Sequence, residues 1–286
     1  MKCDQIRQGG LEDLSPDKKY KDQHFMVCQE VIDQVVLAAN IEPGDRVLEI
    51  GPGPGQLTET LLEVGVQVIA IELDPRFEIV LTQIKEKYPH FFDIIWGSAL
   101  EVEWPESCNK LVMNPPFSIL EPLLEKIHNY RGLECVSMII GKRYYTNAVV
   151  KPGQKGFTKT ALMSQAKYKP ELISQIPKEC FYPEAGEKCV VMRLLAERRP
   201  NPILNRIADF YTSDPCINVN HIVQQVLDII NKRARKYKNY EDYITWQGLG
   251  IKSELKNKRL QDLSNSDLSM LVNKLTSQNN KKRKRR

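Results

Sequence analysis

Between residues 46 and 195 short runs rich in β-branched residues alternate with amphipathic stretches, the pattern of a parallel sheet covered by helices. Period and composition predict strands over 46–50, 67–73, 93–97, 110–114 and 135–140, with helices over 56–63, 75–88 and 120–128 between them. Two further apolar runs, 172–176 and 189–195, are close enough to pair as an antiparallel hairpin at the sheet edge. The expected fold class is therefore α/β: a Rossmann-like, seven-stranded, doubly wound sheet. Around Arg198–Pro202 the run Arg-Arg-Pro-Asn-Pro breaks the pattern, and apolar residues then recur at helical spacing over 203–211 and 222–234. The expected organisation is a flexible segment 1–21, a catalytic domain 22–198, a small helical domain 199–278 and an unstructured basic tail 279–286.

Composition narrows the class. Hydrophobic residues make up 42% and charged residues 27% of 286, enough apolar material for a sizeable core. Residues 1–21 are polar, unlike a signal peptide, and no apolar run approaches the roughly 20 residues needed to span a bilayer. A soluble cytoplasmic protein without membrane contact is expected. The seven cysteines are scattered without a close CxxC pair, so buried reduced thiols and no metal site are expected. The net charge of +5 is unevenly placed, ending in Lys281-Lys282-Arg283-Lys284-Arg285-Arg286, which points to a polyanionic partner or a localisation signal.

The chemistry begins after the first strand, at Glu49-Ile50-Gly51-Pro52-Gly53-Pro54-Gly55. Glycines there let the backbone turn tightly beside a nucleotide at the strand's carboxyl end. The G-x-G-x-G spacing departs by one residue from the dinucleotide fingerprint. The second strand ends Glu72-Leu73-Asp74, placing a carboxylate about 20 residues beyond the loop, where it can accept hydrogen bonds from ribose hydroxyls. Asp74 before Pro75 also fits a helix N-cap. A nucleoside cofactor is expected, and hydride transfer stays open on these residues.

The fourth strand runs into Asn114-Pro115-Pro116-Phe117, which favours methyl transfer to a planar amine. The Asn114 side-chain oxygen and the Pro115 carbonyl can accept the two N–H bonds of an exocyclic amine, while Phe117 stacks on the base. The prolines stiffen the loop that aims these groups.

At these residues the chain resembles the small-subunit ribosomal RNA adenine dimethyltransferases, and within them a divergent, archaeal-like member; erythromycin-resistance methylases are their relatives. The resemblance covers about residues 22–195. It includes Gln23-His24-Phe25, similar to the family's segment over the cofactor, and the stretches Pro152-Gly153-Gln154-Lys155-Gly156-Phe157 and Phe181-Tyr182-Pro183. It implies S-adenosyl-L-methionine as cofactor, with Gln23, His24, Phe25, Glu49, Gly51, Gly53, Gly55, Glu72, Leu73, Ser98, Ala99 and Asn114 around it. It also implies N6-dimethylation of adenosines, with Asn114, Pro115 and Phe117 catalytic and Phe181 flanking the target base opposite Phe117. The chain departs from the family at Pro115, Phe117 and Ser98, where Leu or Ile, Tyr and Asp are usual, and at Arg143, Ala185, Glu187 and Lys188. Adenine in another RNA or in DNA, a protein glutamine, and pure RNA binding are alternative readings. The partner expected is ribosomal RNA in the small subunit, contacted by Lys232, Arg233, Arg235 and Lys236 with Tyr237 and Tyr240 interleaved. Monomer is the default expectation.

Overall fold

The computed structural model describes residues 23–236 and 249–284, with side chains outside that description also at 232–236 and 278–284. The segment 1–21 lies outside it. Strand β1 (Phe25–Met26) is followed by helix α1 (Gln29–Ala38) and strand β2 (Arg46–Ile50). Helix α2 (Gln56–Glu63), β3 (Gln67–Glu72), α3 (Glu78–Lys87), β4 (Phe92–Trp96) and β5 (Lys110–Met113) complete the first half. Then come α4 (Leu120–Asn129), β6 (Cys135–Gly141), α5 (Lys142–Ala148), α6 (Lys159–Ala166), β7 (Tyr168–Ile176), β8 (Phe181–Tyr182) and β9 (Cys189–Ala196). The last helices are α7 (Pro202–Ser213), α8 (Val219–Lys236) and α9 (Asn265–Lys284).

Seven strands form one sheet in the order β4-β3-β2-β5-β6-β9-β7. Strands β2 to β6 pair in parallel, and β9 runs antiparallel to β6 from Gly141↔Cys189 to Cys135↔Leu195. The central strands β5 and β6 are buried throughout, as expected where helices cover both faces. Helix α4 shows why: Leu120, Leu123, Leu124 and Ile127 recur at helical spacing and are all buried. Ser137 Oγ in β6 donates to the Val35 carbonyl of α1 at 2.7 Å, fixing that helix on the sheet. The order reverses between β2 and β5, so the carboxyl ends of β2, β3 and β5 open on the crevice where doubly wound sheets bind ligands.

The predicted 75–88 helix divides into a 3₁₀ turn, Pro75–Phe77, and α3, because Asp74 caps the turn by accepting from the Arg76 N–H. A two-stranded sheet absent from the expectations joins β1 to β8 antiparallel, with Phe25↔Tyr182 and Met26↔Phe181 in register. This pairing corrects the expectation of reduced thiols throughout: Cys28 and Cys180 are disulfide-bonded, their Cα atoms 4.9 Å apart. A sequence separation of 152 hides the pairing from local spacing.

The chain separates into two compact units. The first holds the described residues up to Tyr145 together with Lys169–Ala196, hence both sheets; the second holds Thr146–Tyr168 and the described residues from Glu197 onward. Residues 146–168 thus cluster with the helical residues from Glu197 onward, apart from the strands that flank them in sequence. In that unit Ile222, Val223, Val226, Leu227 and Ile230 form the buried stripe of α8. Asn201 caps α7 by accepting from the Ile203 and Leu204 N–H groups at 3.0 and 3.4 Å. Helix α9 continues to Lys284, so residues 279–284 are helical in backbone where an unstructured tail was expected. Among the described residues no helix is long and apolar enough to cross a membrane.

Candidate active site

A cavity of about 570 Å³ lies at the carboxyl ends of β2, β3, β4 and β5 in the first unit. That size is ordinary for sites that take drug-sized ligands, roughly 300–1,000 Å³. Its walls bring together Gln23, His24, Phe25, Gly51, Gly53, Glu72, Leu73, Ser98, Ala99, Asn114, Pro115, Phe117 and Phe181, residues drawn from six stretches of sequence.

The glycine loop forms one wall. Gly53 has φ +54°, a left-handed backbone conformation that side chains rarely adopt, so the turn itself calls for glycine; a Cβ there would make only ordinary contact with the Phe25 ring, at 3.6 Å. The Gly53 N–H donates to Glu72 Oε2 at 3.0 Å, while the Leu73 and Asp74 N–H groups donate to Oε1 at 2.8 and 2.7 Å. One carboxylate thus ties the loop after β2 to the end of β3. Glu72 is 5% exposed, and burial raises its pKa against the opposing pull of these N–H donors. Three of the carboxylate's about four acceptor positions are filled from the backbone, leaving capacity for a hydroxyl in the cavity.

Two expected cofactor residues stand elsewhere. Gly55, φ +89°, caps α2, and a Cβ there would collide with Ile84 of α3, so its smallness serves helix packing. Glu49 is fully buried beneath the loop and does not line the cavity. Its Oε2 accepts from the Thr58 hydroxyl at 2.7 Å, and Oε1 has no hydrogen-bond partner among the described residues. Burial pushes its pKa up to about 8, helped by the nearby Glu72 and opposed by Thr58.

The strap Gln23–Met26 is fastened at several points. Gln23 Nε2 donates to Asp74 Oδ2 at 3.1 Å, and Arg76 Nη2 donates to Gln23 Oε1 at 2.9 Å. Arg76 also forms an ion pair with Asp74 at 2.6 Å. Burial would raise the Asp74 pKa, but the Arg76 guanidinium and backbone N–H outweigh it and hold the carboxyl below its ordinary value. Sequence reasoning found the Asp74 cap and missed this three-residue latch, for which a 51-residue separation between Gln23 and Asp74 offers no local signal. His24 Nδ1 donates to the Pro183 carbonyl at 2.9 Å, since a carbonyl can only accept, and its ring meets Phe181 edge-on with centroids 6.4 Å apart.

The opposite wall is the loop after β5. Asn114 Nδ2 donates to the His24 carbonyl at 2.9 Å. Pro116 is itself extended, with φ −54° and ψ 134°, and the 3₁₀ turn Phe117–Ile119 that follows it leads into α4. Phe181, 3% exposed, contributes a further aromatic ring to the same cavity.

The basic candidates fall partly outside the description. Lys232, Arg233, Arg235 and Lys236 lie on the last turns of α8, but their side chains lie outside the described residues, as do Tyr237, Lys238 and Tyr240. Lys252, Lys256 and Arg259 are exposed in the helical unit, and Lys258 is paired with Asp267 at 3.2 Å.

A mixed seven-stranded sheet with β2 to β6 parallel and β9 antiparallel, a glycine loop held by a strand-end acid, and a proline-stiffened Asn loop define a Rossmann-like methyltransferase. The ribosomal RNA adenine dimethylase family profile matches residues 15–267, and the chain belongs to that family. A Thermococcus kodakarensis protein named "probable ribosomal RNA small subunit methyltransferase A" is 36% identical over 185 residues, 65% of this chain and 63% of its own length. The ribosomal RNA small subunit methyltransferase A of Dehalococcoides mccartyi strain 195 is 34% identical over 166 residues, 56% of each chain. These alignments therefore span under two thirds of the relatives' lengths. A crystal structure of a dimethyladenosine transferase from Plasmodium falciparum shares the fold with a TM-score of 0.60 at 18% identity, covering 89% of this chain and 98% of that one. The 23S rRNA methyltransferase ErmE follows with a TM-score of 0.56 at 20% identity, covering 88% and 99%.

Proposed function

We propose that this chain is an enzyme that transfers methyl groups from S-adenosyl-L-methionine to the N6 amine of adenosines in small-subunit ribosomal RNA, twice at each target. The single observation that carries the reading is the hydrogen bond from Asn114 Nδ2 to the His24 carbonyl, which fixes the orientation of the amide. With its NH₂ committed to a carbonyl, Asn114 keeps Oδ1 as the atom able to accept from an amine in the cavity. Beside it the Pro115 carbonyl supplies a second acceptor, and Phe117 and Phe181 supply two aromatic rings for a base extruded from its strand.

The residues fit the cofactor on their own chemistry. Glu72 retains acceptor capacity for a ribose hydroxyl, Gly53 gives close backbone approach, and Leu73 and Ala99 offer apolar surface for a purine. When bound, S-adenosyl-L-methionine supplies an electrophilic methyl group on a sulfonium. The protein's part is positional: Asn114 and Pro115 draw the amine away from conjugation with the ring and aim its lone pair, and the strap over the glycine loop excludes water. No strong base is required, because an aromatic amine becomes acidic once alkylated and can release its proton to solvent.

Membership of the family and the names of the relatives support small-subunit ribosomal RNA as the substrate. The test is transfer of labelled methyl groups to under-methylated small subunits, with nucleoside analysis. Dimethyladenosine formed by the native chain and not by Asn114→Ala is the expected result; cofactor binding without incorporation would refute the substrate.

A further inference from the structure

The helix that leaves the acceptor loop, α4, reaches the far wall of the same cavity through one side chain. Lys126 Nζ donates to the carbonyl oxygens of Ala99 and Val102 at 2.9 and 2.5 Å, and lies 5.2 Å from the centroid of the Trp104 ring. Trp104 Nε1 donates to the same Ala99 carbonyl at 2.9 Å, and its ring packs against Tyr130 with centroids 5.8 Å apart. Within the turn, the Glu101 and Val102 N–H groups both donate to the Ser98 carbonyl at 2.9 Å. Ser98, Ala99 and Leu100 face the cavity. The turn is therefore held from behind by a cation and an indole while its front is offered to a ligand.

We infer that Lys126 is a positioning residue for the nucleoside end of the cofactor, joining the wall made by Ser98, Ala99 and Leu100 to the helix rooted at Asn114–Phe117. The inference rests on the cofactor reading above. Glu72 at the end of β3 marks the ribose, and the turn at the end of the neighbouring β4 lies next along the sheet, where the base would seat. A lysine on a solvated helix face would leave its ammonium to water. This one spends two of its three N–H bonds on backbone carbonyls and lays its charge on an aromatic face. Because α4 carries both the lysine and the end of the acceptor loop, the two walls share one support.

The test compares the full chain with Lys126→Met, which keeps the aliphatic stem, and Lys126→Arg, which keeps a cation. S-adenosylhomocysteine is titrated by calorimetry and amide hydrogen exchange is followed by mass spectrometry. Lys126→Met should bind about tenfold more weakly, the equivalent of one lost charge-assisted hydrogen bond. Exchange should accelerate in the peptide carrying Glu101 and Val102 while β2, β5 and β6 keep their protection, and Lys126→Arg should recover most of the affinity. Equal affinity in Lys126→Met, or a loss accompanied by faster exchange throughout the sheet, would overturn the inference. Failure of the unsubstituted chain to bind would instead overturn the cofactor reading on which it stands.

Discussion

Asn114 Nδ2 donates to the main-chain carbonyl of His24 across 2.9 Å, joining residues 90 positions apart and making the N-terminal strap a support for the acceptor loop. The strap is held in turn by the Gln23–Asp74–Arg76 latch, by pairing with β8 and by the Cys28–Cys180 cross-link. The amide that would orient an incoming amine is thus itself oriented by a segment that covers the glycine loop.

The first prediction concerns that amide. Asn114→Ala removes an acceptor aimed at the reacting nitrogen and should lower kcat by about 10²-fold or more, the usual loss for one preorganised polar group. Asn114→Asp should fail as well, because a carboxylate opposes the His24 carbonyl with two acceptors and no donor. Single-turnover methylation of under-methylated subunits checks both, and near-normal rates in either variant would remove Asn114 from the mechanism.

A second prediction concerns Glu72. In Glu72→Gln one of the atoms that accept from Gly53, Leu73 and Asp74 becomes an NH₂ group facing an N–H donor. The loop should loosen and S-adenosylhomocysteine should bind about 10–100-fold more weakly, as one to two mismatched buried hydrogen bonds imply. Calorimetry gives the answer directly; unchanged affinity would mean that the acid neither holds the loop nor meets the ribose.

Glu49 makes stability depend on pH. Its folded pKa of about 8 lies above the ordinary value of 4.5, so between the two the folded chain holds a proton that the unfolded chain has released. Its contribution is fully present below 4.5 and is lost as pH rises through 8, so stability should fall across that window. Glu49→Gln mimics the protonated acid and should flatten the slope, gaining on the native chain by on the order of a few kcal/mol between about pH 5 and 8. Denaturant unfolding at several pH values checks this, and parallel slopes would place the Glu49 pKa near its ordinary value.

The basic end of α8 bears on RNA affinity. Replacing Lys232, Arg233, Arg235 and Lys236 by Gln should weaken binding and flatten its salt dependence, by about 0.7 in the log–log slope for each lost contact to single-stranded phosphate and about 0.9 on a duplex. Filter binding at several salt concentrations measures both quantities. An unchanged slope would assign these residues to a solvated helix end.

Most of the doubly wound sheet was legible because its signal is local. β-Branched runs at 46–50 and 135–140 can bury both faces only inside a covered parallel sheet, and Gly51, Gly53 and Glu72 sit where that topology opens. The Asn-Pro-Pro-Phe loop was equally legible, since two prolines after a buried strand restrict the backbone whatever surrounds it. Strand pairing between Phe25 and Tyr182, the Cys28–Cys180 bridge, the Gln23–Asp74–Arg76 latch and the hold of Lys126 on Ala99 were decided only by tertiary structure. The same is true of Glu49 and Gly55, which share the glycine motif but turn to Thr58 and to Ile84 rather than to the cavity. The sequence determined which backbone could form and where its crevice would lie, because hydrophobic period, glycine and proline act over a few residues. Which side chains meet across that crevice depends on contacts tens of residues apart, and those exist only once burial of the sheet has brought the segments together.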